Sequence, residues 1–230
     1  MPRRRRLELP NMPLLISHRG METVSLFSDE TDYAHYRDCL LRTTLQCGVL
    51  IHGYALLPRR VVLLTNAAAV GATSRAIRNT AQQYAQWLNR RRSRHGALWD
   101  GRFKSCLVEP EQVVLSALRY IEQAPQRAGL VGEAPQWPWS SAAAHVCAGE
   151  DDVLTPHPAY LRLGIDRRTR GRAWSEYLGV AQDEAQLGQI RAHLAQERAL
   201  GSAQFQAMVT TALSSPAAWR PRGRPKLCLQ

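Results

Sequence analysis

The chain has 230 residues, of which 45% are hydrophobic, and it carries a formal net charge of +11 with an isoelectric point near 10.1. This length suffices for one well-buried α/β domain of about 150 residues with an appended helical segment. No apolar run approaches the ~18 residues of a membrane span, and the basic start lacks the apolar segment of a signal peptide. We therefore expect no membrane partner and a cytoplasmic location.

The basic residues are almost all arginines. Of the 30 basic residues, only Lys104 and Lys226 are lysines. A guanidinium group pairs phosphate oxygens and base edges through a planar fork, so this composition favours a nucleic-acid partner over a membrane surface. A GC-rich coding sequence is the alternative explanation for the preference for arginine, but it does not explain the net charge.

The first half of the chain alternates strand-like and helix-like segments. Ser28 or Asp29 can cap a helix that Gly48 ends, and Pro58 separates two apolar, β-branched strands. In chain order we predict a strand over residues 14–19, a helix over 28–47, strands over 49–57 and 61–65, a helix over 72–92, a strand over 102–108 and a helix over 111–123. This order fits a ferredoxin-like antiparallel sheet with packed helices, which predicts an α+β fold.

The sequence changes character after Gly132. Leu187, Ile190 and Leu194 form an apolar stripe at helical spacing, which is typical of core packing. Three short helices are predicted over residues 171–178, 183–198 and 202–213. We expect the chain to divide into residues 1–135, a C-terminal helical extension over residues 136–215 and a basic tail over residues 216–230.

Two motifs carry a family resemblance. Residues 54–64 read YALLPRRVVLL and residues 120–131 read YIEQAPQRAGLV. Without gaps they resemble the strand motif Y-V-L-M-P-N-H-V-H-L-L and the helix motif Y-I-E-L-N-P-V-R-A-G-L-V of the REP-associated tyrosine transposases, which are HUH-type enzymes with a single catalytic tyrosine. Residues 9–20 and 96–105 (GALWDGRFKS) are also similar to family segments. The resemblance spans about residues 9–226.

The resemblance implies a catalytic residue and a lost metal site. Tyr120 matches the nucleophile that attacks a DNA phosphate and becomes joined to the 5′ end. The two metal-binding histidines of the family fall on Arg60 and Val62, and the third ligand falls on Ala124. Arginine stays protonated, and valine and alanine have no donor atom, so we expect no metal and no cofactor where the family uses Mg²⁺ or Mn²⁺.

Six residues are predicted to bind DNA. Arg60 can contact a phosphate as a fixed cation, and Trp99, Arg102 and Lys104 can hold a strand by stacking and charge. In the tail, the R-G-R-P segment resembles an AT-hook, which lays both guanidinium groups into an A/T minor groove. Its two arginines are Arg222 and Arg224. The plainer alternatives are a half-buried strand, a packed tryptophan with solvated cations, and a tail that only adds nonspecific affinity.

The resemblance predicts that residues 1–135 form a transposase-like domain that binds hairpin or single-stranded DNA, with its metal-ligand positions degenerate. The alternative is an active metal-dependent tyrosine transposase or nuclease that uses His18, His52 or Gln123 as substitute ligands. A third interpretation is a decayed reading frame whose product folds without a selected role. The sequence leaves both a monomer and a homodimer open.

Overall fold

The structure is a computed structural model, and it describes residues 6–111, 113–147 and 149–219. Its four strands are β1 (Leu14–Arg19), β2 (Val49–Leu57), β3 (Arg60–Ala67) and β4 (Lys104–Leu107). They form one antiparallel sheet in the order β2-β3-β1-β4. Helix α1 (Glu30–Cys47) connects β1 to β2, and α2 (Ala72–Arg91) connects β3 to β4. This topology confirms the predicted ferredoxin-like arrangement.

The ends of these elements follow local signals in the sequence. The carboxylate of Asp29 accepts a hydrogen bond from the Asp32 backbone N–H at 3.0 Å and caps α1. Gly48 ends that helix in the left-handed conformation, with a φ of 65°, which glycine adopts without strain. Pro58 and Arg59 form the turn between β2 and β3.

Alternate residues of each strand point to opposite faces of the sheet, and both faces are covered. The back face carries Ile16 and Leu63, which pack with the buried side chains of α1 and α2. The front face carries Leu15 and Val62, which pack against α3 (Val114–Glu122). The buried apolar side chains of the strands therefore divide between two cores, one on each face of the sheet.

Five further helices follow α3 and α4 (Ala124–Arg127). They are α5 (Ala142–Val146), α6 (Pro158–Leu161), α7 (Arg167–Gly179), α8 (Glu184–Gln196) and α9 (Ala203–Leu213). Leu187, Ile190 and Leu194 bury the predicted stripe of α8 in the front core together with Leu15. The C-terminal helices thus complete the front face of the sheet. Among the described helices, none is long and apolar enough to cross a membrane.

Some predicted boundaries are corrected by tertiary contacts. The predicted strand over residues 102–108 is limited to β4, and the predicted helix over residues 111–123 begins only at Val114. The Glu109 carboxylate accepts hydrogen bonds from the backbone N–H and the hydroxyl of Ser202, at 2.7 and 2.9 Å. This contact ties the segment before α3 to the start of α9, so the segment turns instead of forming helix.

Candidate nucleic-acid interface

Arg60 and Tyr120, which are 60 residues apart in sequence, meet on the front face of the sheet. Arg60 Nη2 donates a hydrogen bond to Tyr120 Oη at 2.9 Å, and Arg60 Nε donates to Ser17 Oγ at 2.7 Å. Ser17 lies on β1, the strand next to the one that begins with Arg60. The guanidinium is thus fixed at two points, and it stands directly at the hydroxyl of the predicted nucleophile.

A second arginine, Arg127, packs against the ring of Tyr120. Tyr120 is only 2% exposed and belongs to the front core. Arg127, from α4, donates to the Tyr120 carbonyl oxygen, and its guanidinium carbon lies 4.8 Å from the centre of the ring. Burial lowers the pKa of Arg127 to about 10, so this side chain stays cationic at neutral pH.

A groove of about 580 Å³ opens beside Tyr120, and we call it the basic groove. It is lined by Ser17, Arg19, Arg60, Asp100, Arg102, Lys104, Tyr120, Arg191, Leu194 and Ala195. Five of these side chains are cations and one is a carboxylate. Such a lining concentrates positive potential, which suits the phosphate backbone of a nucleic acid.

The cations of the basic groove are weakly neutralised. Lys104 lies 3.8 Å from a Glu197 carboxylate oxygen, and Arg191 lies 3.3 Å from one of Glu184. Ion pairs this exposed contribute little, about 0 to 1 kcal/mol. Arg19 and Arg102 form no ion pair with any residue in the described part of the chain. The groove therefore keeps most of its charge available for an anionic ligand.

On the other side of Arg60 and Tyr120 lies a pocket of about 430 Å³, which we call the arginine-rimmed pocket. It is lined by Leu57, Pro58, Arg59, Arg60, Tyr120, Ala124, Arg127, Ala128, Leu130 and Arg191. Its floor is apolar, unlike that of the basic groove. Arg60, Tyr120 and Arg191 line both spaces, so the pocket continues the basic groove past the tyrosine hydroxyl.

The positions that hold a metal in the resembled family do not fit one here. Val62 is fully buried in the front core, and Ala124 lines the arginine-rimmed pocket without a polar atom in its side chain. Arg60 is a donor, and it already binds two oxygens. Within the described ranges, no three His, Cys, Asp or Glu side chains are grouped so that they could hold a metal ion.

Two of the three predicted substitute ligands are histidines in the wrong place. His18 lies on the back face, where its ring stacks on Trp99 with the centroids 3.9 Å apart. His52 Nδ1 is 2.6 Å from the Thr155 carbonyl oxygen. It sits five residues from the β2 residue that pairs with Arg60, a distance of about 16 Å along the strand. His52 is therefore too far from Arg60 to replace a metal ligand beside it.

The third predicted substitute ligand, Gln123, donates hydrogen bonds to the backbone through its amide nitrogen. Its Nε2 donates to the carbonyl oxygens of Leu178 and Val180, at 2.7 and 3.0 Å. These bonds hold the end of α3 to the end of α7. The atom of glutamine that can bind a metal is the carbonyl oxygen, and Gln123 Oε1 accepts a hydrogen bond from Arg127 Nη1 at 3.4 Å. The positions of His18 and His52 contradict the alternative in which all three residues together replace the metal ligands.

The remaining predicted DNA-binding residues lie in different parts of the molecule. Arg102 and Lys104 line the basic groove, as predicted for residues that act together. Trp99 is not part of that lining, because its indole Nε1 donates to the Ala81 carbonyl at 3.0 Å and its ring covers the back core. Trp99 instead lines a separate cavity, together with Arg102. Arg222 and Arg224 lie outside the described residues.

Sequence reasoning missed several residues of this site. Arg127 lies inside the helix motif of residues 120–131, so the motif resemblance could have predicted it as a residue of the site. Ser17 and Arg19 lie in the first strand, and their spacing of two residues on one strand places both on the front face. Arg191 had no such signal, because α8 reaches Tyr120 only through the packing of the C-terminal helices on the sheet.

Comparison with known proteins agrees with this architecture. No family model and no curated protein sequence matches the chain. The fold is that of a transposase-like α+β domain. Among solved structures, a REP-associated tyrosine transposase bound to a REP hairpin aligns with a TM-score of 0.55 and 16% identity, over 67% of this chain and 92% of that one. A protein assigned as a transposase of Deinococcus radiodurans R1 aligns over 53% of this chain and 97% of that one, at 17% identity and a TM-score of 0.37.

Proposed function

We propose that this protein binds hairpin or single-stranded DNA in the basic groove, with a phosphate held by Arg60 at the hydroxyl of Tyr120. The observation that carries the proposal is the 2.9 Å contact between these two residues at the edge of a groove lined by five cations. The transposase-like fold supports DNA as the ligand, since the REP-associated neighbour is bound to a REP hairpin.

We propose binding, rather than cleavage, as the main activity. Attack by a tyrosine hydroxyl on a phosphate needs charge stabilisation at the phosphate oxygens, which a divalent ion supplies strongly. In this chain a guanidinium occupies the corresponding position. A guanidinium is a fixed single charge, so it can hold a phosphate while activating it less than a metal ion does.

The other partners are proposed on the same basis. A DNA ligand favours the cytoplasmic location that the sequence predicts. The tail arginines Arg222 and Arg224 add contacts in an A/T minor groove. The protein acts as a monomer or a homodimer.

The proposal is tested with one labelled hairpin oligonucleotide and two readouts. Fluorescence anisotropy measures binding, and a denaturing gel detects a covalent protein–DNA adduct with Mg²⁺, with Mn²⁺ or with a chelator. We expect saturable binding in all three conditions and no adduct in any of them. Absence of binding to hairpin and single-stranded DNA would refute the proposal. An adduct lost in a Tyr120→Phe variant would instead establish the enzyme.

A further inference from the structure

We propose that a cavity on the back face of the sheet binds a free nucleotide, that is, a small aromatic heterocycle that carries phosphate. We call this space the back cavity, and its volume is about 660 Å³. It lies between α2, residues 99–103 before β4, His18 of β1 and Arg6. The inference goes beyond the proposed function, because it concerns a ligand other than DNA at a second site.

The sheet separates the back cavity from the basic groove. Successive side chains of a strand point to opposite faces of a sheet. On β1, Ser17 and Arg19 line the basic groove, whereas His18 between them lines the back cavity. Arg102, at the edge, lines both spaces. A DNA strand in the basic groove lies on the front face, so the back cavity is available to a separate, small ligand.

The charge of the back cavity favours an anionic ligand. Four guanidinium groups line it, those of Arg6, Arg75, Arg78 and Arg102, and no carboxylate of the described residues does. Arg75, Arg78 and Arg102 form no ion pair with any described residue. Arg6 Nε lies 3.8 Å from a carboxylate oxygen of Glu197, too far for a hydrogen bond. These cations therefore keep donors for the oxygens of a phosphate group.

Two of the four cations also repel each other. Burial, followed by the positive charge of Arg102, lowers the pKa of Arg6. A like charge lowers the pKa of a cation only when the two groups lie close together. A phosphate group between Arg6 and Arg102 would offset this repulsion and accept hydrogen bonds from both side chains.

The aromatic side chains of the back cavity favour a flat ring as part of the ligand. Trp99 and Phe103 line the cavity, and Phe103 is buried. Heterocyclic rings of ligands stack on aromatic side chains, and pockets for small ligands have volumes of about 300 to 1,000 Å³. Inorganic phosphate would use the cations without the rings. The lining as a whole therefore fits a phosphorylated heterocycle better than phosphate alone.

His18 adds a hydrogen-bond acceptor at the wall of the back cavity. Its Nε2 is 3.3 Å from the Gly101 carbonyl oxygen, which only accepts, so Nε2 carries the proton and Nδ1 is an acceptor. Among the described residues, Nδ1 has no hydrogen-bond partner. A buried acceptor without a donor is unfavourable, and the N–H groups of a base or the hydroxyl groups of a sugar can satisfy it.

The experiment titrates the protein with ADP, GDP, CDP and UDP, with the four matching nucleosides and with pyrophosphate, and measures binding by calorimetry. We expect saturable one-to-one binding of at least one diphosphate. Its nucleoside and pyrophosphate should each bind at least about ten-fold more weakly, because each lacks one half of the contacts. No saturable binding of any diphosphate would overturn the inference. Pyrophosphate that binds as tightly as the nucleotide would overturn it as well.

A pair of substitutions tests whether the nucleotide lies in the back cavity. Arg75→Gln with Arg78→Gln removes two exposed cations of α2 and should weaken the bound diphosphate at least about ten-fold. Arg168→Gln with Arg172→Gln, on the exposed side of α7, is the matched control and should change its affinity less than about two-fold. Equal losses in the two variants would show binding by net charge and would contradict the inference.

A groove variant separates this inference from the proposed function. Arg19→Gln with Lys104→Gln should weaken hairpin DNA and leave the affinity for the diphosphate within about two-fold. Protein that binds the nucleotide but no DNA would refute the proposed function alone. A hairpin that displaces the nucleotide completely would show that the back cavity belongs to the DNA site, and it would overturn this inference alone.

Discussion

At the scale of single residues, the site is defined by a guanidinium fixed at the hydroxyl of Tyr120. The Arg60 guanidinium reaches Tyr120 Oη and Ser17 Oγ, at the position where the motif that this strand resembles has a histidine. A permanent charge that the fold supplies needs no ion from solution. A guanidinium polarises a phosphate less than a divalent ion does, which is why the proposed function is binding.

Arg60 and Tyr120 are expected to differ in their contributions to DNA affinity. Arg60→Ala removes a charged hydrogen bond to phosphate, which is worth about 1.5 to 3 kcal/mol. Tyr120→Phe keeps the buried ring and removes one hydroxyl, so the affinity should change by less than about 1 kcal/mol. Anisotropy titrations of both variants with one hairpin measure the difference. A larger loss for Tyr120→Phe than for Arg60→Ala would contradict the role given to Arg60.

His18 is expected to make stability depend on pH. Burial lowers the pKa of His18 from its usual 6.5 to about 4, so the folded state favours the neutral ring. Its contribution is complete above pH of about 6.5 and is lost as pH falls toward 4, by roughly 3 kcal/mol at most. His18→Phe keeps a ring against Trp99 and removes the titration. Urea unfolding at pH 7 and pH 4 should show a smaller pH dependence in the variant, and an unchanged dependence would contradict this assignment.

At the scale of elements, α3 presents Tyr120 on one side and is anchored on the other. Glu122 is fully buried and accepts hydrogen bonds from Ser141 Oγ, His145 Nδ1 and Trp174 Nε1, at 2.5, 2.6 and 2.7 Å. These donors come from the start of α5, from α5 and from α7. Glu122 therefore faces away from Tyr120, and its hydrogen bonds fix the helix.

Removing the Glu122 carboxyl group should lower the stability of the fold more than the affinity for DNA. Glu122→Ala leaves the three buried donors without their acceptor, and breaking a buried charged network typically costs about 3 to 5 kcal/mol. Chemical unfolding measures the loss, with Glu176→Ala on the exposed side of α7 as a control that should change stability by less than about 0.5 kcal/mol. A loss below about 1 kcal/mol for Glu122→Ala would show that the network is not needed.

Introducing the metal-ligand residues of the resembled motif tests whether this fold can support metal-dependent cleavage. The triple variant Arg60→His, Val62→His and Ala124→Asn places three donor groups around Tyr120. We expect Mg²⁺-dependent nicking of hairpin DNA and an adduct on Tyr120 in this variant, and neither in the parent. Val62 is fully buried, so unfolding must be measured alongside. A folded triple variant that binds Mn²⁺ but never nicks DNA would contradict the view that only the ligands are missing.

An element can be predicted from the sequence when the residues that determine it are close together in the chain. The strands and helices around the sheet were predictable, since apolar periodicity and the boundary residues Asp29, Gly48 and Pro58 are adjacent in sequence. The pairing of Arg60 with Tyr120 followed from a motif resemblance. The place of Arg191 was not predictable, because it depends on how α8 packs on β1 and β4. The contact of Trp99 with Ala81 was unpredictable for the same reason, since Ala81 lies on α2.

At the scale of the whole molecule, part of the net charge of +11 is concentrated on one surface. Five cations of four separate segments line one groove beside Tyr120, whereas cations such as Arg42 and Arg172 form exposed pairs within single helices. Charge concentrated in a concave surface attracts a polyanion more strongly than the same charge spread over the molecule.

Binding should therefore depend steeply on salt. Each phosphate contact to single-stranded DNA contributes about −0.7 to the slope of log K against log salt, so five groove cations predict a slope of about −3.5. Titrations from low to physiological salt measure this slope. A slope near zero would contradict recognition of the backbone.

The most direct measurement of the central claim compares two variants with the same charge change. Arg19→Gln, Arg102→Gln and Lys104→Gln remove three cations from the basic groove, and Arg42→Gln, Arg168→Gln and Arg172→Gln remove three exposed cations elsewhere. With one hairpin at physiological salt, the groove variant is predicted to lose at least about ten-fold in affinity and the control less than about three-fold. Equal losses in the two variants would show that net charge, and not the basic groove, binds the DNA.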